Sequence, residues 1–284
     1  MNTANTAPRL QVEDLRVGFA NGDSVVDVVH GVSFTLSREK LGIVGESGSG
    51  KSTVGRTLLK LHPRSARVQA KQLSFDGIDL LRADERQMMG IRGRRMSMIM
   101  QDPKYSLNPV MRIGDQIAEA FLAHDAKADR AAARDRTLAM LEAVRICDPQ
   151  RVYRLYPHEV SGGMGQRIMI AMMLIQQPEI VIADEPTSAL DVSVRQQVLA
   201  VLDDLVSERG LGLIFISHDL NMVRHFCDRV LVMYAGRVVE SIAAADLDRA
   251  EHPYTRGLLD VLPSIHRRRA VLPTLRRDPA WLTA

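Results

Sequence analysis

The chain has 284 residues, 46% hydrophobic and 4% aromatic, with 37 basic against 34 acidic side chains and a formal net charge of +3. That is enough for one large or two modest domains with a sizeable core. The nearly balanced charge and the few aromatics do not imply a nucleic-acid partner, which would use a cationic face or stacking rings.

Residues 1–9 lack the apolar stretch of a secretory leader. Short alternating segments over 9–36 (LQVEDLRVGF, then VVHGVSFTL) predict antiparallel strands with a turn at Asn21-Gly22-Asp23. LGIV at 41–44 is a short buried strand that runs into GESGSGKST at 45–53. Val54, Leu58 and Leu61 then form a helical stripe. Residues 71–80 predict a strand and turn, and the pattern from 84 is helical and Met-rich. Residues 103–116, with two prolines, are expected as a loop. Helices are expected at 129–146, 164–176, 192–209 and 219–227. Strands are expected at 179–185, 211–219 and 229–236. This alternation, with near-continuous apolar strands, predicts a parallel α/β sheet. The helix-rich middle, about 85–170, reads as an insertion. Residues 237–284 are expected as a tail, partly helical over 252–263, with a basic run at 266–269 and 276–277. The longest apolar run, IMIAMMLI at 168–175, falls short of the ~20 residues that cross a bilayer. Any service to a membrane is therefore expected from the cytoplasmic face, through a partner. Cys147 and Cys227 are expected as ordinary buried thiols in a reducing compartment.

GESGSGKST fits G-x-x-x-x-G-K-S, with strand before and helix after. Gly45, Gly48 and Gly50, with Ser47 between them, let backbone N–H groups turn inward around phosphates. The helix start at Lys51 adds its positive dipole end. Lys51 is suited to β- and γ-phosphate charge, the Ser52 hydroxyl to Mg²⁺, and Thr53 continues the cradle. The motif thus implies ATP as ligand.

Asp184 and Glu185 end an apolar strand, where carboxylates are costly unless they meet cations. They suit Mg²⁺ and the orientation of an attacking water, respectively. His218, at the end of the next apolar strand, can contact the γ-phosphate or serve as a structural residue. Gln101 follows MSMIM and can touch Mg²⁺ and the water, or be unremarkable. Ser161-Gly162-Gly163 open a helix and fit either a second anion site or an ordinary Ser cap. Phe19, at the first strand's tip, can stack on adenine or be a plain hairpin aromatic. The Met clusters (Met96, Met98, Met100; Met169, Met172, Met173) read as adaptable core or as a groove for a partner helix.

Taken together, GESGSGKST, Gln101, VSGGMGQR at 160–167, IVIADEPTSALD at 180–191 and His218 resemble the ATP-binding cassette ATPases across about 9–240, leaving 241–284 as an extension. QDPKYSLNPVMRIGDQI at 101–117, SGGM and HPYTRGLL at 252–259 resemble the bacterial oligopeptide, dipeptide and nickel import subfamily. The resemblance implies a P-loop ATPase core with a mostly parallel sheet, an N-terminal antiparallel β subdomain and an inserted helical subdomain. It implies two cassettes paired head to tail around ATP. Ser161 and Gly163 would then meet the other subunit's γ-phosphate, and Asp191 would lie across that interface. It also implies two transmembrane permease subunits, a second ATPase subunit of the same or a related chain, and an external solute-binding protein. Gln101 would couple hydrolysis to the permease. A cassette ATPase of a soluble complex, such as a phosphonate-degradation accessory assembly, is the alternative. Two features depart from the pattern. Gly165 stands where a long polar residue is usual, and no Cys follows Cys227, so no iron–sulfur site is expected.

Overall fold

The structure is a computed structural model describing residues 8–22, 24–124, 129–261, 275, 278 and 281. In chain order the elements begin with β1 (Leu10–Asn21), β2 (Ser24–Leu36), β3 (Lys40–Val44), α1 (Lys51–Leu58), β4 (Ala66–Gln69), β5 (Gln72–Phe75) and β6 (Ile78–Asp79). There follow α2 (Glu85–Ile91), β7 (Met96–Ile99), α3 (Pro103–Ser106), α4 (Ile113–Leu122), α5 (Arg130–Ala143), α6 (Pro149–Arg154) and α7 (Gly162–Leu174). The chain ends with β8 (Ile180–Asp184), α8 (Val192–Arg209), β9 (Gly212–Ser217), α9 (Leu220–Phe226), β10 (Arg229–Tyr234), β11 (Arg237–Ala243) and α10 (Pro253–Val261). They gather into two compact units, 1–85 with 214–284, and 86–213.

In the first unit β1 and β2 pair antiparallel from Leu10↔Leu36 to Asn21↔Ser24, and β4 and β5 pair on the other edge of β1. Inward residues Leu10, Val12, Leu15 and Val17 are buried while Glu13 and Arg16 face water, the period of a half-buried strand. The unit's other strands run in the order β11-β10-β3-β9. β3 and β10 pair parallel, and Leu41, Ile43, Val44, Val230, Leu231 and Val232 are at most 1% exposed. Burial on both faces is why these strands read as continuous apolar runs. Gly42 lets α9 approach, since a Cβ there would stand 2.3 Å from Val223. The expected tail starts with a strand instead: β11 pairs antiparallel with β10, Arg229↔Ala243 to Tyr234↔Arg237. Its short polar alternation (RVVESIA) is a weak signal beside the apolar strands before it.

In the second unit β7 and β8 pair parallel. The expected loop at 103–116 instead holds α3 and the start of α4. Ile113 and Ile117 are fully buried, and Tyr153 packs so closely that a Cβ on Gly114 would stand 2.3 Å from its ring. Tertiary packing of α4 thus overrides the loop signal of the prolines. Gln176 Nε2 donates to the Ala120 and Phe121 carbonyls at 2.9 and 2.6 Å, capping the end of α4 from α7's side. Met96, Met98 and Met169 are core, but Met100 is 40% exposed. Cys227 is buried, whereas Cys147 is exposed, against expectation. The basic runs at 266–269 and 276–277 lie outside the described residues.

Candidate functional site

Among the residues singled out, Phe19, Gly45, Ser47, Gly48, Gly50, Lys51, Ser52, Thr53 and His218 belong to the first unit. Gln101, Ser161, Gly163, Asp184, Glu185 and Asp191 belong to the second.

The phosphate-type loop is set between β3 and α1. Gly48 and Gly50 take φ of +83° and +93°, the left-handed region that suits glycine. A Cβ on Gly45 would stand 2.1 Å from the Met233 carbonyl oxygen, so only glycine lets the loop pass β10. Lys51 is 5% exposed, and its Nζ donates to the Gly45 and Glu46 carbonyls at 2.8 Å each, with Ser49 Oγ at 3.4 Å. Its charge is therefore folded back into the loop. Gly50 is the N-cap of α1 and offers no side-chain cap, so the helix start, with its orphan amides, opens onto the loop. Ser47 and Gly48 are exposed, and Ser52 and Thr53 half-buried.

Sequence reasoning missed Glu46 and Ser49 as Lys51 acceptors, although both lie within the motif. It also missed Tyr254. This fully buried residue of α10 accepts a hydrogen bond from the Glu46 backbone N–H at 3.0 Å, across 208 residues. No local pattern reveals that contact.

Phe19 lies edge-on to His62, centroids 5.4 Å apart. His62 Nε2 sits 2.8 Å from Thr57 Oγ1 and 3.1 Å from the Thr53 carbonyl, tying α1 to the tip of β1. Burial lowers the His62 pKa from its ordinary 6.5, with the Arg56 charge adding to that and the Thr53 hydrogen bond opposing it. His218 is exposed after β9, just before Asp219, which caps α9 by accepting from the Met222 N–H.

In the second unit Asp184 ends the fully buried β8 at 5% exposure. Glu185 follows with φ +47°, a strained conformation for a side chain of this kind. Its carbonyl accepts from the Ser188 N–H at 3.2 Å and the Ser188 hydroxyl at 3.1 Å, which holds the turn. Gln101 is exposed just past β7.

Ser161 is the N-cap of α7, its Oγ accepting from the Met164 N–H at 3.3 Å. Asp191 is the N-cap of α8, accepting from the Val194 N–H at 3.0 Å and the Ser193 hydroxyl at 2.9 Å. The Val194 N–H foremost, then the Ser193 hydroxyl, holds the Asp191 carboxyl below the usual carboxylate range. These two helix starts meet: a Cβ on Gly163 would lie 2.3 Å from Val194 Cγ1, and one on Gly162 3.9 Å from Leu190. The structure thus joins Ser161, Gly163 and Asp191 in one exposed ledge of two N-termini. At Gly165 a Cβ would meet Pro103 only at 3.6 Å, so that position is buried without being crowded.

Comparison with known proteins places this geometry. The ABC transporter family profile matches residues 29–188. A Sinorhizobium fredii protein named "Probable peptide ABC transporter ATP-binding protein y4tR" is 47% identical over 94% of this chain and 83% of its own length. The oligopeptide transport ATP-binding protein OppD of Salmonella typhimurium is 43% identical over 98% of this chain and 84% of its own. A solved dimer of an ATP-binding cassette in a post-hydrolysis state with ADP and Pi superposes with a TM-score of 0.72, at 24% identity, over 83% of this chain and 98% of that one. A strand-to-helix loop that buries a lysine, a carboxylate pair closing a buried strand and relatives of this similarity agree, and the chain belongs to the ABC transporter family as an ATP-binding, ATP-hydrolysing subunit.

Proposed function

We propose that this subunit energises the import of peptides across the cytoplasmic membrane, working with two transmembrane permeases and a second cassette of the same or a related chain. The names of the similar proteins support peptide as the cargo class. Among the described residues no helix is long and apolar enough to cross a membrane, so attachment through permeases fits. An external solute-binding protein would deliver the cargo, and nucleic acid has no part in it.

The observation that carries the reading is the Lys51 cradle, a nine-tenths-buried ammonium held by loop carbonyls at a helix start. An ammonium has three N–H donors, so one held in place by those carbonyls can still donate to a phosphate without turning away from them. In the proposed reaction the N–H groups of 45–53 and Lys51 hold the β- and γ-phosphates, and Phe19 stacks on adenine. Glu185 orients a water and takes its proton as the oxygen bonds to γ-phosphorus. The bond to the β-bridging oxygen breaks and ADP leaves. His218 and Gln101 contact the γ-phosphate and the water. Ser161 and Gly163 close over the γ-phosphate held by the other cassette, with Asp191 beside them.

The donor set fits Mg²⁺. Ser52 and Asp184 are hard oxygen donors, and the described residues hold no group of three or more acidic, His or Cys side chains that would cage a metal alone. Mg²⁺ uses one or two protein oxygens together with substrate phosphates and water. Ser52, Asp184 and Gln101 are the residues that would hold it, and when bound it would neutralise phosphate charge.

The test is uptake of a labelled peptide by cells lacking the gene, complemented with wild type or Lys51→Ala, together with detergent co-purification. Uptake restored by wild type alone, with a permease co-purifying, supports the proposal. A wild-type chain that restores no uptake and carries no integral membrane partner refutes it in favour of a soluble complex.

A further inference from the structure

The contact between α10 and the phosphate loop has a direct chemical consequence. Glu46 N–H and Gly45 C=O belong to one peptide unit. In a trans peptide these groups point in opposite directions within one plane. The N–H end donates to Tyr254 Oη at 3.0 Å, and the C=O end accepts from Lys51 Nζ at 2.8 Å. Whatever fixes the N–H direction therefore aims the carbonyl that holds the lysine. Gly45 has no side chain to do this, because a Cβ there would collide with the Met233 carbonyl. A hydrogen bond donated from the N–H end also strengthens the carbonyl as an acceptor.

Tyr254 is itself firmly held. It is fully buried, and its backbone N–H donates to His252 Nδ1 at 3.2 Å. Its ring packs on Tyr234 at 4.6 Å and on Trp281 at 5.5 Å, and Trp281 also meets Tyr234 at 5.5 Å. These are normal aromatic packing distances. An aromatic triad from β10, α10 and the chain's end thus stands behind the loop.

We propose that Tyr254 is a positioning residue for Lys51, acting through the Gly45–Glu46 peptide, so that the C-terminal extension sets the affinity of the phosphate loop. This rests on residues 45–53 being the cradle for ATP phosphates.

The chain allows a direct test, because Trp281 is the single tryptophan of its 284 residues. Affinities for ATP, ADP and GTP are measured for wild type, Tyr254→Phe and Lys51→Ala, with unfolding midpoints alongside. Tyr254→Phe keeps the ring and removes the hydroxyl. It should weaken ATP and ADP alike by about five- to tenfold, the size of one hydrogen bond lost from a buried amide. The ATP-to-GTP ratio should not change, since Lys51 reaches phosphate and not base. Wild-type Trp281 emission should shift on adding ATP with the same Kd, and this shift should be lost in Tyr254→Phe.

Wild-type ATP affinity in a folded Tyr254→Phe chain would overturn the proposal and leave the extension a merely structural brace. Should that variant not fold, a wild-type Trp281 signal indifferent to saturating ATP would overturn it instead. Lys51→Ala binding ATP as tightly as wild type would overturn the reading of the loop itself, a distinguishable failure.

Discussion

Ser161 caps α7, and the proposed function gives it a second role, as a ligand for another cassette's nucleotide. Substitution by Asp separates them. Asp caps helices about as well as Ser, so the bond from Met164 N–H should survive. Ala removes it. Loss of a Ser cap costs about 0.5–2 kcal/mol in general. Here the bond is long, 3.3 Å, and Ser161 is exposed, so the lower half of that range, about 0.5–1 kcal/mol, applies. That corresponds to a fall in unfolding midpoint of a few degrees for Ser161→Ala and almost none for Ser161→Asp. Turnover should follow the reverse order. A carboxylate aimed at a γ-phosphate repels it, so Ser161→Asp should lose about 10²-fold or more in the assembled transporter. Ser161→Ala, which lacks only a donor, should lose less. The assays are thermal unfolding of the isolated chain and phosphate release by the transporter. Ser161→Asp with wild-type turnover would refute the second role and leave only the cap.

Glu185→Gln should keep ATP affinity while lowering turnover by about 10²–10⁴-fold, the range for loss of a positioned base; wild-type turnover would remove Glu185 from that role. The glycines of the α7 start should behave oppositely. Gly163→Ala drives a Cβ to 2.3 Å from the branched Val194 and should cost about 1–3 kcal/mol. Gly165→Ala, with Pro103 at 3.6 Å, should stabilise by about 0.5–1 kcal/mol, and urea unfolding distinguishes the two. His62 predicts a pH dependence. Its folded pKa is lowered from 6.5, so below that pH the unfolded chain binds more protons. The stability it contributes is complete above 6.5 and is lost as pH falls through 6.5 toward the folded value. Urea midpoints between pH 5 and 7.5 should therefore slope less in His62→Gln than in wild type. Equal slopes would show that His62 is not the group responsible.

Much of this was legible in the sequence because it is local. The loop at 45–53 needs its glycines for backbone reasons, visible one residue at a time. The double burial of β3, β8 and β10 leaves apolar runs that mark them as parallel strands, and the helix over 192–209 lies where it was expected. Where expectation failed, distant packing decided. Residues 113–122 turn helical because Ile113, Gly114 and Ile117 meet neighbours such as Tyr153, which no window over 103–116 contains. β11 is drawn into the sheet by its ladder to β10, which lies outside its own window. The cap that Ser161 gives α7 was legible as a residue type, whereas the cap that Asp191 gives α8 was not. Nor was their meeting on one ledge, through Gly163 and Val194. Tyr254 is the extreme case, a buried hydroxyl that reaches the phosphate loop from far along the chain.

The central claim is that the Lys51 loop is half of a site, completed by another cassette's Ser161 ledge. Its most direct test is the solution mass of the Glu185→Gln chain with magnesium and ATP, alone and mixed with any related cassette from the same system. The account predicts that ATP raises the mass from that of one chain, 31.6 kDa, to that of a pair, and that ADP does not. A chain that binds ATP and stays single under both conditions would contradict it.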